Sequence, residues 1–224
     1  MSVTVRITRP SARPLVTRAG DLVAVDVGVR YLAALSRPLP GLADADGHVP
    51  NPRVLAGQLH RLRRLDRALA GATRGSRNHT RLRQRRARLH GTITHTRALH
   101  LHRLTRELAR RFTTVVVEDL HVAGMARRKR RLGRVLADAS LATVRHQLSY
   151  KLPEHDHALV VVSRWFPSSK TCSSCSAVTA KLALWERTFT CDTCGLVLDR
   201  DVNAARTLEG EGRRILLAGL RPES

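Results

Sequence analysis

Aromatic side chains are scarce in this 224-residue chain, two Trp, two Tyr and three Phe, or 3% of residues. That excludes an aromatic platform for stacked bases as the main binding device. Carboxylates are scarce as well: 18 Asp and Glu stand against 40 Lys and Arg, a formal charge of +22. An excess of that size calls for a polyanionic partner, and nucleic acid is the leading candidate. Lysine is nearly missing, with only Lys129, Lys151, Lys170 and Lys181. Arginine's planar fork suits phosphate, but a bias of the coding DNA gives the same skew, so the preference alone decides nothing. The chain has no run of about 18 apolar residues, and its N-terminus MSVTVRITRPSARP has no signal-peptide apolar region. These absences predict a cytoplasmic chain with no membrane partner. All four cysteines lie within 23 residues, which leaves none for disulfides elsewhere and points to metal ligation.

The apolar pattern changes several times along the chain. LVAVDVGVRYLAAL, residues 22 to 35, is two β-rich runs broken at Gly28 and reads as a hairpin, with ADADGHV at 43 to 49 supplying a third short strand. From Arg53 to Phe112 the leucines recur every three or four positions, interrupted at GATRGSRNHT, and predict two helices folded back on each other. The arginines of RLRRLDR and RLRQRRARLH read singly as a solvated face, yet together they are too dense for an idle surface. TTVVVEDL is a buried strand ending at Glu118, and a helix is expected from Val135 to Leu152, stopped by Pro153. HALVVVS is another strand. The basic loop AGMARRKRRLGR, with Arg127, Arg128, Lys129, Arg130 and Arg131, reads equally as a solvated segment or as a phosphate-contacting flap.

Cys172 and Cys175, then Cys191 and Cys194 after a 15-residue gap, form a C-x2-C…C-x2-C pattern that fits a zinc ribbon. Four thiolates leave no open coordination position. Such a site is structural, its binding energy folding a segment too small to hold a core.

Asp26, Glu118 and Asp201 are far apart in sequence. If the strand of Asp26 lies parallel to the strand ending at Glu118, both acids reach one region, and a helix beginning near Asp201 delivers the third. Taken singly, each is a strand cap or a helix N-terminal acid. Taken together, unneutralised carboxylates call for magnesium, and two ions about 4 Å apart suit phosphodiester cleavage.

VAVDVGVRYLAALS resembles the first RuvC motif of the TnpB family, VVVEDLHVAGM resembles the second, and FPSSKTCSSC, FTCDTCG and DRDVNAA resemble the zinc ribbon running into the third. TnpB proteins are transposon-encoded RNA-guided DNA endonucleases related to type V CRISPR effectors. The resemblance covers their C-terminal half, from about Val3 onward. It implies an α/β, RNase H-like (RuvC) mixed sheet with flanking helices, a long helical hairpin insert at 53–112 and a zinc-ribbon insert at 170–199. The nuclease domain then comprises 1–169 and 200–224. It also implies that Asp26 ligates two magnesium ions, with Glu118 and Asp201 completing the shells and Asp199 in support. The implied partners are DNA and a guide RNA, and the implied location is cytoplasmic, at the nucleoid.

Three features depart from the family pattern. Only 25 residues precede Asp26 where the family has a long recognition portion, Ser176 stands where the family has glycine, and LPEHDHAL replaces an aromatic stretch. The chain is therefore expected to be a magnesium-dependent endonuclease whose recognition half is missing or supplied by a separate chain. The alternative is a catalytically idle nucleic-acid-binding remnant or regulator. A junction resolvase would use the same acids but needs a symmetric dimer.

Overall fold

The computed structural model describes residues 7–8, 21–120, 141–180, 182–183 and 185–219. The basic segment with Arg127, Arg128, Lys129, Arg130 and Arg131 lies outside the described residues, as does the expected helix start at Val135. The architecture is mixed α/β. A six-stranded sheet comprises β1 (Ile7–Thr8), β2 (Leu22–Val27), β3 (Tyr31–Leu35), β4 (His48–Pro50), β5 (Thr114–Glu118) and β6 (Ala158–Val162) in the order β1-β6-β5-β2-β3-β4. The three central strands β2, β5 and β6 are parallel to one another, and the outer strands pair antiparallel. The hairpin expected around Gly28 is β2–β3, with Asp26 opposite Ala34. The third strand starts only at His48, because 43–47 form a turn closed by the Asp44 carboxylate, which accepts from the backbone N–H groups of Asp46 and His48. The strand at Ile7 was not expected.

Apart from Thr114 and the acids Asp26 and Glu118 near their ends, the central strands are apolar because helices cover both faces. Val23, Val25, Val115, Val117 and Leu159 point into one core with the C-terminal part of α2 (Arg77–Arg111) and with α3 (Leu141–Lys151). Leu22, Ala24, Val116, Val160 and Val162 point into the other, against Leu208 and Ile215 of α4 (Arg200–Ala218). Close approach of α4 depends on Gly212, where a Cβ would lie 2.5 Å from Val116 Cγ2. Pro153 does terminate α3 and opens a short 3-10 turn, Pro153–His155. Among the described residues no helix is long and apolar enough to cross a membrane.

The helices α1 (Val54–Ala70) and α2 pack on each other as expected. The break between them ends at Ser76, whose hydroxyl caps α2 by accepting from His79 N at 3.1 Å. The pair is not wholly an insert, however. Leu101, Leu104, Leu108 and Ala109 belong to the main core, so the last third of α2 covers the sheet. The periodicity is the same along all of α2, and only the placement of β5 and α3 makes one end of it core.

Candidate active site and metal centre

Asp26 sits near the end of β2, and the parallel register Val25↔Val117 puts Glu118 beside it at the end of β5. On the other side of β2, Ala34 packs against Val202 and Ala205 of α4. These small side chains let the first turn of α4 settle at the same edge with Asp201. Asp199 is the N-cap of this helix: its Oδ1 accepts from Asp201 N at 2.9 Å and from Val202 N at 3.2 Å. The capping role open to Asp201 thus belongs to Asp199, and the Asp201 carboxylate is left for the cluster. His48, buried and stacked on Tyr31, brings Nε2 to 3.1 Å from the same Asp199 oxygen.

The electrostatics separate this edge from the rest of the surface. Burial, followed by the negative charges of Asp201 and Glu118, raises Asp26 well above the usual aspartate value, and the Arg200 charge offsets this only in part. Burial also raises Glu118, against the hydrogen bond that Ser168 Oγ donates to its Oε2 at 3.1 Å. Asp201 is raised by burial and then by Asp199, with Arg187 and Arg200 opposing. Among the described residues none of the three carboxylates forms an ion pair with a guanidinium or ammonium. Asp119, one residue from Glu118, is the contrast. Burial would raise it, but Arg164 and Arg145 both bind it and hold it below the usual range. Side by side in sequence, one acid is neutralised by arginine and the other is not. Asp26 is thus electrostatically coupled to both Glu118 and Asp201 at one edge of the sheet, and carboxylate oxygens are donors that suit a hard divalent ion.

The four cysteines also meet. Their sulfurs all lie within 4.8 Å of one another, with Cys172–Cys194 and Cys175–Cys191 at 3.6 Å. A disulfide needs about 2 Å, whereas tetrahedral ligation with metal–sulfur bonds of about 2.3 Å separates sulfurs by roughly 3.8 Å. The arrangement therefore fits one tetrahedral ion. Two matching turns supply it. Ser176 N donates to Cys172 O and Cys172 N to Ala177 O, just as Gly195 N donates to Cys191 O and Cys191 N to Leu196 O. Each turn needs a left-handed residue after its second cysteine, filled by Gly195 at φ 73° and by Ser176 at φ 63°. A two-stranded ribbon, β7 (Thr188–Thr190) with β8 (Val197–Asp199), joins the second turn to α4. Among the described residues here, Phe189 is the fully buried large side chain, clustered with Cys172 and Cys191.

The two centres are tied together by a residue that sequence reasoning passed over. Asn203, two positions beyond Asp201 and fully buried, donates from Nδ2 to Thr171 O at 2.8 Å and accepts from Ser173 N at 3.0 Å. Thr207 Oγ1 also reaches Thr171 O, at 3.1 Å. The segment that leads into the first cysteine turn carries Ser168, the partner of Glu118. The available signal was a carboxamide among Val202, Ala204, Ala205 and Leu208, a polar side chain on an apolar helix face.

Residues 2–129 match the family described as "Probable transposase", and residues 142–208 match the one described as "Cas12f1-like, TNB domain". A Mycobacterium tuberculosis protein named "Putative RNA-guided DNA endonuclease" is 43% identical over 92% of this chain and 45% of its own length. One of the same name from Streptomyces pristinaespiralis is 37% identical over 90% and 48%. The chain thus spans about half the length of the curated relatives it matches. Its fold is similar to a chain in the cryo-EM structure of the Cas12f1-sgRNA-target DNA complex, with a TM-score of 0.57 at 17% identity over 89% of this chain and 50% of that one.

Proposed function

Since this chain belongs to the TnpB family of transposon-encoded proteins, we propose that it is a metal-dependent, RuvC-like DNA endonuclease unit that works with a guide RNA. What supports this reading is the electrostatic coupling of Asp26 to Glu118 and Asp201 where the ends of β2 and β5 meet the first turn of α4, with no guanidinium or ammonium ion pair to these acids among the described residues. The strand order, with β2 flanked by an antiparallel β3–β4 pair on one side and parallel β5 and β6 on the other, supports an RNase H-like assignment. The nuclease domain would be residues 1–169 and 200–224, with the helical hairpin drawn from 53–112 and a zinc ribbon at 170–199. The names of the relatives support DNA and guide RNA as partners.

Asp26, Glu118 and Asp201 would hold magnesium, two ions being expected, and Cys172, Cys175, Cys191 and Cys194 would hold zinc. Bound magnesium supplies charge stabilisation at the phosphate and an activated water. The chain's own groups hold the donors in place. Ser168 orients Glu118, the Asp199 cap fixes the first turn that carries Asp201, and the β2–β5 register fixes Asp26 beside Glu118. Zinc at the closed thiolate site would fold the ribbon and take no part in cleavage.

The test compares wild type with Asp26→Ala on single-stranded DNA in magnesium, with and without co-purified RNA. Magnesium-dependent cutting should fall by at least about 100-fold, and equal cutting by both proteins would remove Asp26 from the chemistry. Stability gives a second readout. A carboxylate with a raised folded-state pKa contributes stability at low pH that is lost as pH rises through that value. Without divalent ions, Asp26→Asn should therefore gain thermal stability over wild type as pH goes from acid to neutral.

A further inference from the structure

The arginine-dense helices leave an open cleft that the carboxylate site does not use. Together α1 and α2 hold fifteen arginines, two carboxylates and no Phe, Trp or Tyr. Between them runs a cleft of about 440 Å³ in which Arg61 and Arg64 of α1 face Arg85 and Arg88 of α2 over a floor of Leu65 and Leu89. All four arginines are exposed. The two acids do not reach it: Asp66 pairs with Arg86 and Glu107 with Arg111. Within each helix the two arginines are three residues apart, one turn of the same face. The cleft is therefore lined by a pair of exposed arginines from each helix.

From this we infer that the cleft is a binding site for the sugar–phosphate backbone of duplex RNA. Guanidinium forks on both walls fit a row of phosphates. The lack of aromatic side chains removes the device that captures unstacked single strands, and a duplex keeps its bases stacked on one another. Gln58 and Thr92 line the same cleft and supply the preference for ribose. A carboxamide both donates to and accepts from a 2′-hydroxyl. The Thr92 hydroxyl, which already donates to Arg88 O at 3.1 Å, keeps its lone pairs to accept from one. Only Leu62 and Ile93 are fully buried along this projecting part of the hairpin, so the charge of its walls is held by a thin apolar seam. A polyanion seated there relieves that repulsion and stabilises the hairpin. The inference concerns binding and stands on the cleft's own chemistry, whatever the three carboxylates do.

The experiment measures binding of the full chain to a paired RNA stem, to paired DNA of the same sequence and to the unpaired RNA strand across a salt series. It uses wild type, a cleft variant (Arg61→Gln, Arg64→Gln, Arg85→Gln, Arg88→Gln) and an equally charged control (Arg63→Gln, Arg67→Gln, Arg77→Gln, Arg81→Gln). Circular dichroism first selects preparations with unchanged helix content. The cleft variant should bind the RNA stem at least about tenfold more weakly, with a log–log salt slope shallower by about 3 to 4. The control should lose much less, and RNA stem should raise the melting temperature of wild type more than that of the cleft variant. Equal losses in the two variants would overturn the site. Equal or tighter wild-type binding of paired DNA, or of unpaired RNA, would overturn its assignment to duplex RNA. A Gln58→Ala, Thr92→Val double variant that bound the RNA stem as wild type does would refute the ribose contacts.

Discussion

The carboxylate edge and the cysteine module hold similar numbers of like-charged ligands and are built in opposite ways. Asp26 and Glu118 follow runs, Leu22 to Val25 and Val115 to Val117, that are buried against the two cores of the sheet, so the packing of the sheet itself positions both acids. Among its described residues the cysteine module has one fully buried large side chain, Phe189, and two short strands. It cannot offset its own chain entropy by burial, and its ligands must help to fold it. On the proposed reading, the first centre is preformed for its ion and the second is a structure that its ion completes.

Three perturbations test that distinction, in order of expected effect. Stripping the thiolate metal with a chelator, or Cys191→Ser, should unfold the ribbon, because a structural zinc of this kind contributes on the order of 10 kcal/mol. Hydrogen exchange should lose protection at β7 and β8 while β2 and β5 keep theirs. A uniform loss across both sheets would show that the two regions fold as one unit. Asn203→Ala comes next. It takes the carboxamide from Thr171 O and leaves Ser173 N without its partner, at a cost of about 1–3 kcal/mol. Exchange should quicken at the first cysteine turn, and an unchanged melting temperature and exchange pattern would remove Asn203 as the tie between the centres. The smallest effect is expected from Ser176→Gly. Serine at φ 63° is in the left-handed region that costs a side chain about 1 kcal/mol, so glycine should stabilise the metal-loaded module by up to about that much. Weaker metal retention after this change would mean that the two cysteine turns are not equivalent.

Much of this molecule could be read directly along the chain. Short β-rich apolar runs marked β2, β3, β5 and β6, leucine spacing marked the helices, and the cysteine spacing alone pointed to a metal. Other features had no local signal. Nothing in EDL separates Glu118 from Asp119, because the arginines that claim Asp119 come from positions 145 and 164. In DRD, the first aspartate caps the helix and the second joins the cluster, a division set by which one precedes the first turn. β1 is too short to show a period, and it exists only because β6 offers an edge.

Short-range order was already written in the sequence, since backbone periodicity and ligand spacing depend on neighbours a few residues apart. The tertiary structure alone decided which acids stay without a cation, which part of α2 is core, and that Asn203 joins the thiolate module to the helix of Asp201. Burial and ion pairing depend on groups that the fold brings together from tens of residues away, as Arg145 and Arg164 are from Asp119 and Thr171 is from Asn203.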